Sequence, residues 1–418
     1  MVNNPFTSET FTRVWSKHFN DSKKGLSFNF IEGVTFIKHS KLPYYKNVGE
    51  KLTNGITFKI SNVNANDFKG KVFLVRDIPS YLNVDDDIEK LPGLQLKKIF
   101  QYEGYITRVS DFDSLDVYLK TIYKSNTRSK LRRNVNRLEA CFDVEYIMYY
   151  GCISKTDFDV VFDKFYKLFE KRYTDKNEPC GELEPKLWGF YSELVYEMIN
   201  KKQASLFVIY CDKQPVGITF SYHFPDKLVE ALTVFDIDYY RYNIGHTTIL
   251  KMLEWSFNNN VEIFDYTQGD FDYKKRWSND TYKTHYYLFY DSKSIISQVV
   301  ALSVVSYFNL KRYLRDKNFN STYHKLKHRL FKSSVIKESF VEPFTVEIIV
   351  EGDVEISHLK EIDIYSSGFM SPRRALFDFL YMNPQSVKNL KIFKSNKDVD
   401  TYFVFGDANV LKISKDVA

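Results

Sequence analysis

The run from Ala204 to Tyr239, ASLFVIYCDKQPVGITFSYHFPDKLVEALTVFDIDY, constrains this chain more than any other segment. Three apolar, β-rich stretches are separated only by DKQP and FPDK, which is turn chemistry, so the three stretches form an antiparallel meander. A helix follows, read as Thr247 to Asn258, and then the strand VEIFDYT and a further strand THYYLFY. Five strands with one helix inserted late predict a mixed α+β layer fold.

The flanking sequence extends this pattern. Residues 5–19 have helical spacing, with Phe11, Val14, Trp15 and Phe19 on one face. Residues 25–105 are strand-like, 113–140 helical, and 155–172 and 185–203 are helices around a polar loop. Beyond 335, a strand, a helix starting near Pro372 and the hairpin TYFVFGDANVLKI suggest a small α+β extension. At 418 residues, with 44% hydrophobic and 27% charged side chains, the chain can bury two or three cores.

Charge and cysteine usage narrow the setting. A net charge of +6 suits a phosphate-bearing ligand as well as plain solubility. The four cysteines show no C-x-x-C spacing and no histidine at ligand spacing, so no metal site is expected, and a reducing cytoplasm fits. The start, MVNNPFTSETF, has no secretory pattern, which also points to the cytoplasm. Ser294 to Leu310 carries no charge and precedes KRYLRDK. It is short for a membrane span; a buried helix is the plainer expectation, and a peripheral membrane helix with a basic flank the sharper one.

Three stretches could carry chemistry. YKSNTRSKLRRNVNRLEA, Tyr123 to Ala140, is a basic helix that could be a solvated face, a phosphate anchor or a nucleic-acid surface. One isolated helix without a recognised motif disfavours nucleic acid. FDIDYYRYNIGHTTILKML places Gly245 at a helix start, where a backbone can approach closely and free N–H groups can hold an anion such as a pyrophosphate. FDYTQGDFDYKKRWSND, Phe264 to Asp280, breaks at Gly269 and then gathers carboxylates, cations and a tryptophan.

In this order, the basic helix, meander, glycine turn, helix and FDYTQGDFDYKKRW resemble the CelD-like branch of the GNAT superfamily of N-acetyltransferases, which is related to FemAB-like transferases. The family ending of a strand fDf, a loop xxGd and xYKxxW corresponds to Phe264-Asp265-Tyr266, Gly269-Asp270 and Tyr273-Lys274 with Trp277. The opening is echoed by Pro5-Phe6 and Trp15. Gln268 replaces a common arginine and Phe271 a common acidic residue. The resemblance covers roughly residues 5–330.

It implies tandem GNAT-like mixed sheets flanked by helices: a half over 1–115, an acyltransferase core over 116–293, a helical segment over 294–335 and the extension over 336–418. It implies acetyl-CoA or another acyl-CoA as co-substrate, held by Phe235, Asn243, Ile244, Gly245, His246 and Thr247. Arg128, Arg132, Asp236 and Gln268 would meet the acceptor, an amine of an amino sugar, nucleotide sugar, amino acid or peptide in envelope or polysaccharide synthesis. Acyl transfer needs a free amine, oxyanion stabilisation and a proton for the leaving group. Asp270, Lys274 and Tyr273 are the expected base, cation and proton donor, with Trp277 and Asp265 as scaffold and His246 and His285 as further candidate bases. Two alternatives stay open: an aminoacyl-tRNA donor gripped by the basic helix, and a non-catalytic scaffold binding a glycan or protein.

Overall fold

The computed structural model describes residues 4–61, 65–317, 344–349, 354, 358–407 and 409–415. Helix α1 (Glu9–Phe19) is capped by the Ser8 hydroxyl, which accepts from the Phe11 amide, and it buries Phe11, Val14 and Trp15. Strands β1 (Leu26–Phe28), β2 (Ile31–Lys38), β3 (Tyr44–Asn47), β4 (Lys59–Ile60), β5 (Val72–Pro79) and β6 (Leu94–Arg108) follow. Helices α2 (Leu115–Ile122) and α3 (Ser125–Cys141) lead to β7 (Val144–Tyr149), α4 (Lys155–Asp175) and α5 (Pro185–Asn200). In α4, Phe158, Val161, Phe162, Phe165, Leu168 and Phe169 are buried, the periodicity of a helix laid on a sheet.

The expected meander is β8 (Ala204–Cys211), β9 (Gln214–His223) and β10 (Lys227–Phe235). Then come α6 (Ile244–Asn258), β11 (Ile263–Gln268), α7 (Asp272–Trp277), β12 (Asp280–Asp291) and α8 (Ile295–Asp316). Helix α6 starts three residues before the Thr247 expected from sequence. The stretch from Asp272 to Trp277 is a short helix where the sequence suggested a loop; its six mostly polar residues are too few to show a helical period.

These strands form one twelve-stranded mixed sheet in the order β1-β2-β3-β5-β12-β6-β11-β10-β9-β8-β7, with β4 beside β2. Helices flank it. Strand β12 lies between β5 and β6, antiparallel to both, so residues from the end of the expected core complete the N-terminal half. The halves expected at 1–115 and 116–293 are therefore interleaved in space.

The extension has its own five-stranded sheet: β13 (Phe344–Ile349), β14 (Leu359–Ile362), β15 (Lys391–Ser395), β16 (Thr401–Phe405) and β17 (Val410–Lys415). Its helix α9 (Arg373–Met382) packs against α3 and the turn after β10. Leu376, Phe377 and Leu380 thereby share one apolar cluster with Phe142, Tyr239 and Tyr242 of the core. The segment from 318 to 335 lies outside the described residues.

Candidate active site

Strands β10 and β11 run parallel but pair only from Lys227–Ile263 to Val229–Asp265. Beyond that point β10 keeps only β9 and β11 only β6, with irregular register in both ladders. The strands therefore part, and a cleft of about 500 Å³ opens there. Its walls come from β10 (Glu230, Thr233, Phe235), the end of α4 (Phe169, Arg172, Tyr173, Lys176), the start of α6 (Gly245, His246, Thr248, Ile249), and Tyr240, Asn243, Phe271 and Tyr273. An apolar body with a few converging polar groups is the usual form of a ligand site.

Glu230 is the carboxyl buried in that wall. Burial pushes its carboxyl up to about 7, against an opposing pull from the Lys274 ammonium. Lys274 itself is only 5% exposed. Its Nζ donates to the Gln268 carbonyl at 2.5 Å and lies 3.5 Å from the Thr267 hydroxyl. Burial lowers its pKa, while Glu230 and Asp265 support the charge. A carboxyl that gains and loses a proton near neutrality, set beside a buried cation, has the form of a general base.

Asp265 anchors the other side of this charge cluster. Its carboxylate accepts from Tyr81 at 2.6 Å, from Tyr282 at 2.9 and 3.0 Å, and from the Thr267 amide at 2.6 Å. Burial still raises it to about 6. Tyr282 reaches it across Gly104, where a Cβ would sit 2.2 Å from the tyrosine ring, so only glycine lets the ring lie there. The bond to the Thr267 amide holds Thr267 at φ 61°, a left-handed conformation that a β-branched residue rarely adopts. That kink breaks the β11 register before its last residue, whose carbonyl accepts from Lys274.

The opposite end of the cleft suits an anion. Asn243 is left-handed (φ 52°, ψ 47°) and starts α6 without a side-chain cap, so the Ile244 and Gly245 amides lead the helix with no intrahelical acceptor. Gly245 lies under the Phe235 ring, 3.2 Å from where a Cβ would be. Arg172 stacks over Phe235 at 4.9 Å, and Lys176 adds a second cation. His246 Nδ1 accepts from the Trp277 indole at 2.9 Å. An indole N–H can only donate, so the imidazole proton is assigned to Nε2. Burial and the neighbouring Arg276 and Lys130 charges lower the His246 pKa further, which keeps it a neutral donor rather than a base.

The expected site residues separate into three groups. Phe235, Asn243, Gly245, His246 and Tyr273 line the cleft, and Lys274 sits behind it. Ile244 and Thr247 are buried in the core side of α6, so they can offer only backbone. Asp270, Gln268, Arg128 and Arg132 do not line it. The Asp270 side chain is 76% exposed and pairs with Lys275, which holds its carboxyl below the usual range and makes it a poor proton acceptor at neutral pH. The Gln268 side chain is exposed, and only its carbonyl is engaged, by Lys274. Arg128 donates to the Tyr123 carbonyl at 2.6 Å and Arg132 is exposed on α3. Asp236 is 4% exposed and bound into an ion network with Lys171 and Arg373 rather than open to an acceptor.

Glu230, Arg172 and Lys176 escaped the sequence analysis. Glu230 sits inside a β-rich run whose apolar neighbours hide it; an acid in the middle of a meander strand was the available signal. His285 lies on β12, half-buried against Phe100, and is no part of the cleft. Trp277 is fully buried and its carbonyl accepts from Thr107 at 2.8 Å and from Tyr118, which fixes the end of α7.

The cleft thus lies at parting parallel strands, with an acid near neutrality at one end and a helix start with cations at the other. Residues 125–275 match the family model described as an acetyltransferase (GNAT) domain. Among solved structures, the chain is similar to a conserved protein of Bacteroides thetaiotaomicron (13% identity, 69% of this chain and 92% of that one, TM-score 0.43). It is also similar to FemX (12% identity, 60% and 83%, TM-score 0.41) and to L-PGS from Bacillus licheniformis (12% identity, 70% and 95%, TM-score 0.40). No curated protein matches the chain.

Proposed function

We propose that the protein is an N-acyltransferase that takes an acyl group from acetyl-CoA or another acyl-CoA and delivers it to an amine of an amino sugar, nucleotide sugar, amino acid or peptide. The observation that carries this is Glu230, a buried carboxyl raised to about 7 in the wall of the cleft. The residues at the other end fit the donor: the α6 amides and the Arg172 and Lys176 cations suit its phosphates, and the β10 edge from Glu230 to Phe235, paired to β9 but open on its β11 side, offers backbone groups to an amide-bearing arm. When bound, the donor supplies an activated acyl carbonyl.

Glu230 takes the proton that the acceptor amine must lose. Lys274 keeps the conjugate carboxylate accessible near neutral pH by its field. The neutral Tyr273 hydroxyl, whose pKa burial raises, supplies the proton to the leaving thiolate. The His246 Nε2–H adds a fixed donor to the same cleft.

Ligand-dependent unfolding tests the donor, and mass spectrometry with acetyl-CoA and an amine panel tests the reaction. Coenzyme A should raise the melting temperature by binding only the folded state. No rise at millimolar coenzyme A, together with a salt-sensitive rise on adding tRNA, would move the donor to aminoacyl-tRNA.

A further inference from the structure

Helix α8 packs one side on the sheet through Val300, Ala301 and Phe308, against Leu74, Ile99 and Leu288. Its other side faces solvent with large apolar residues among the uncharged polar Gln298, Ser303, Ser306 and Asn309. Ile295 is 79% exposed, and Ile296, Val299, Leu302, Tyr307 and Leu310 are each more than half exposed. No charge interrupts this face from Ser294 to Leu310. The cations gather at its end, where Lys311, Arg312, Arg315 and Lys317 stand against Asp316 alone. Arg312 and Arg315 also donate to the Phe100 and Gln101 carbonyls, so two of the cations are fixed in place.

An outward helix face on a globular protein is ordinarily polar and charged, and a contiguous apolar one marks a contact. The 22 residues of α8 span about 33 Å, yet among the described residues no helix is apolar and long enough to cross a membrane.

We propose that the outer face of α8 docks the protein on an anionic lipid surface, with the helix lying in the interface plane. Charge complementarity selects this occupant. The stripe meets the acyl boundary, Tyr307 and Tyr313 carry amphipathic rings suited to the headgroup level, and the terminal cations meet lipid phosphates. A second copy of the chain would oppose those cations with a helix that offers no carboxylate between Ser294 and Leu310. No residue of α8 lines the acyl cleft, so this docking stands apart from the proposed reaction.

Co-sedimentation of the full chain with vesicles tests it, using phosphatidylcholine alone and phosphatidylcholine mixed with phosphatidylglycerol. Binding should require phosphatidylglycerol, weaken with salt, and fall roughly 5-fold for each of Lys311→Ala and Lys317→Ala. Leu302→Glu with Leu310→Glu should abolish it while leaving the melting temperature and any coenzyme A shift unchanged, because both side chains are already exposed. Absence of sedimentation with either vesicle, or equal sedimentation with both, overturns the proposal. So does a dimer by light scattering that the same two glutamates dissociate, which would assign the face to a second copy.

Discussion

Glu230 joins the proposed chemistry and the cost of the site in one side chain. Its carboxyl is raised from an ordinary 4.5 to about 7, so the folded protein holds a proton that the unfolded chain releases. The stability gained from that proton is fully present below about pH 4.5 and is lost as pH rises through 7. Glu230→Gln should therefore raise stability at pH 8 relative to pH 5, by up to about 3 kcal/mol for a shift of this size, as read by chemical denaturation at both values. The same variant should lower kcat/KM by about 10²–10⁴-fold and remove the acidic limb of its pH profile. Lys274→Met should instead move that limb upward, since the ammonium lowers the Glu230 pKa. An unmoved limb in both variants would place the base elsewhere.

At the scale of elements, the junction of β11 and α7 decides where Lys274 goes. Thr267 and Gly269 are both left-handed, and Gly269, at φ 115°, leaves only 2.9 Å between a would-be Cβ and the Phe271 ring. Gly269→Ala should cost about 1–2 kcal/mol by denaturation and weaken coenzyme A binding, because Phe271 lines the cleft and leads into α7. A neutral result in both measurements would mean that the turn is free to rearrange. The meander and α4 were legible because their apolar periods run long enough to count. The β11–α7 junction was not: a six-residue helix has no period, and the left-handed Thr267 is held there by Asp265, a bond visible only in three dimensions.

At the scale of the molecule, the extension is tied to the half that carries the cleft. Arg373 of α9, nearly buried, bonds Asp238 at 2.6 Å and lies 3.9 Å from Asp236, and Lys171 of α4 meets the same two carboxylates. Those aspartates begin the turn that runs to Asn243 and the start of α6. Arg373→Met should destabilise the protein by about 3–5 kcal/mol, as breaking one partner of a buried network does, and should lower coenzyme A affinity by loosening that turn. Unchanged affinity at reduced stability would confine the extension to a supporting role.

The sequence alone determined the layer type, the meander, the glycine-led helix, and the motif order that points to a GNAT-type domain. Those properties depend on spacing along the chain, which local sterics and burial translate directly into strands, turns and helices. Tertiary structure decided which side chains meet. Only the sheet order puts β12 between β5 and β6, so that Tyr282 reaches Asp265. Only burial turns Glu230 from a strand residue into a group that titrates near neutrality, and only its surface position with Lys275 removes Asp270 from that role. Charge and hydrogen-bond energies depend on distance and solvent through space, and neither is written in the order of residues.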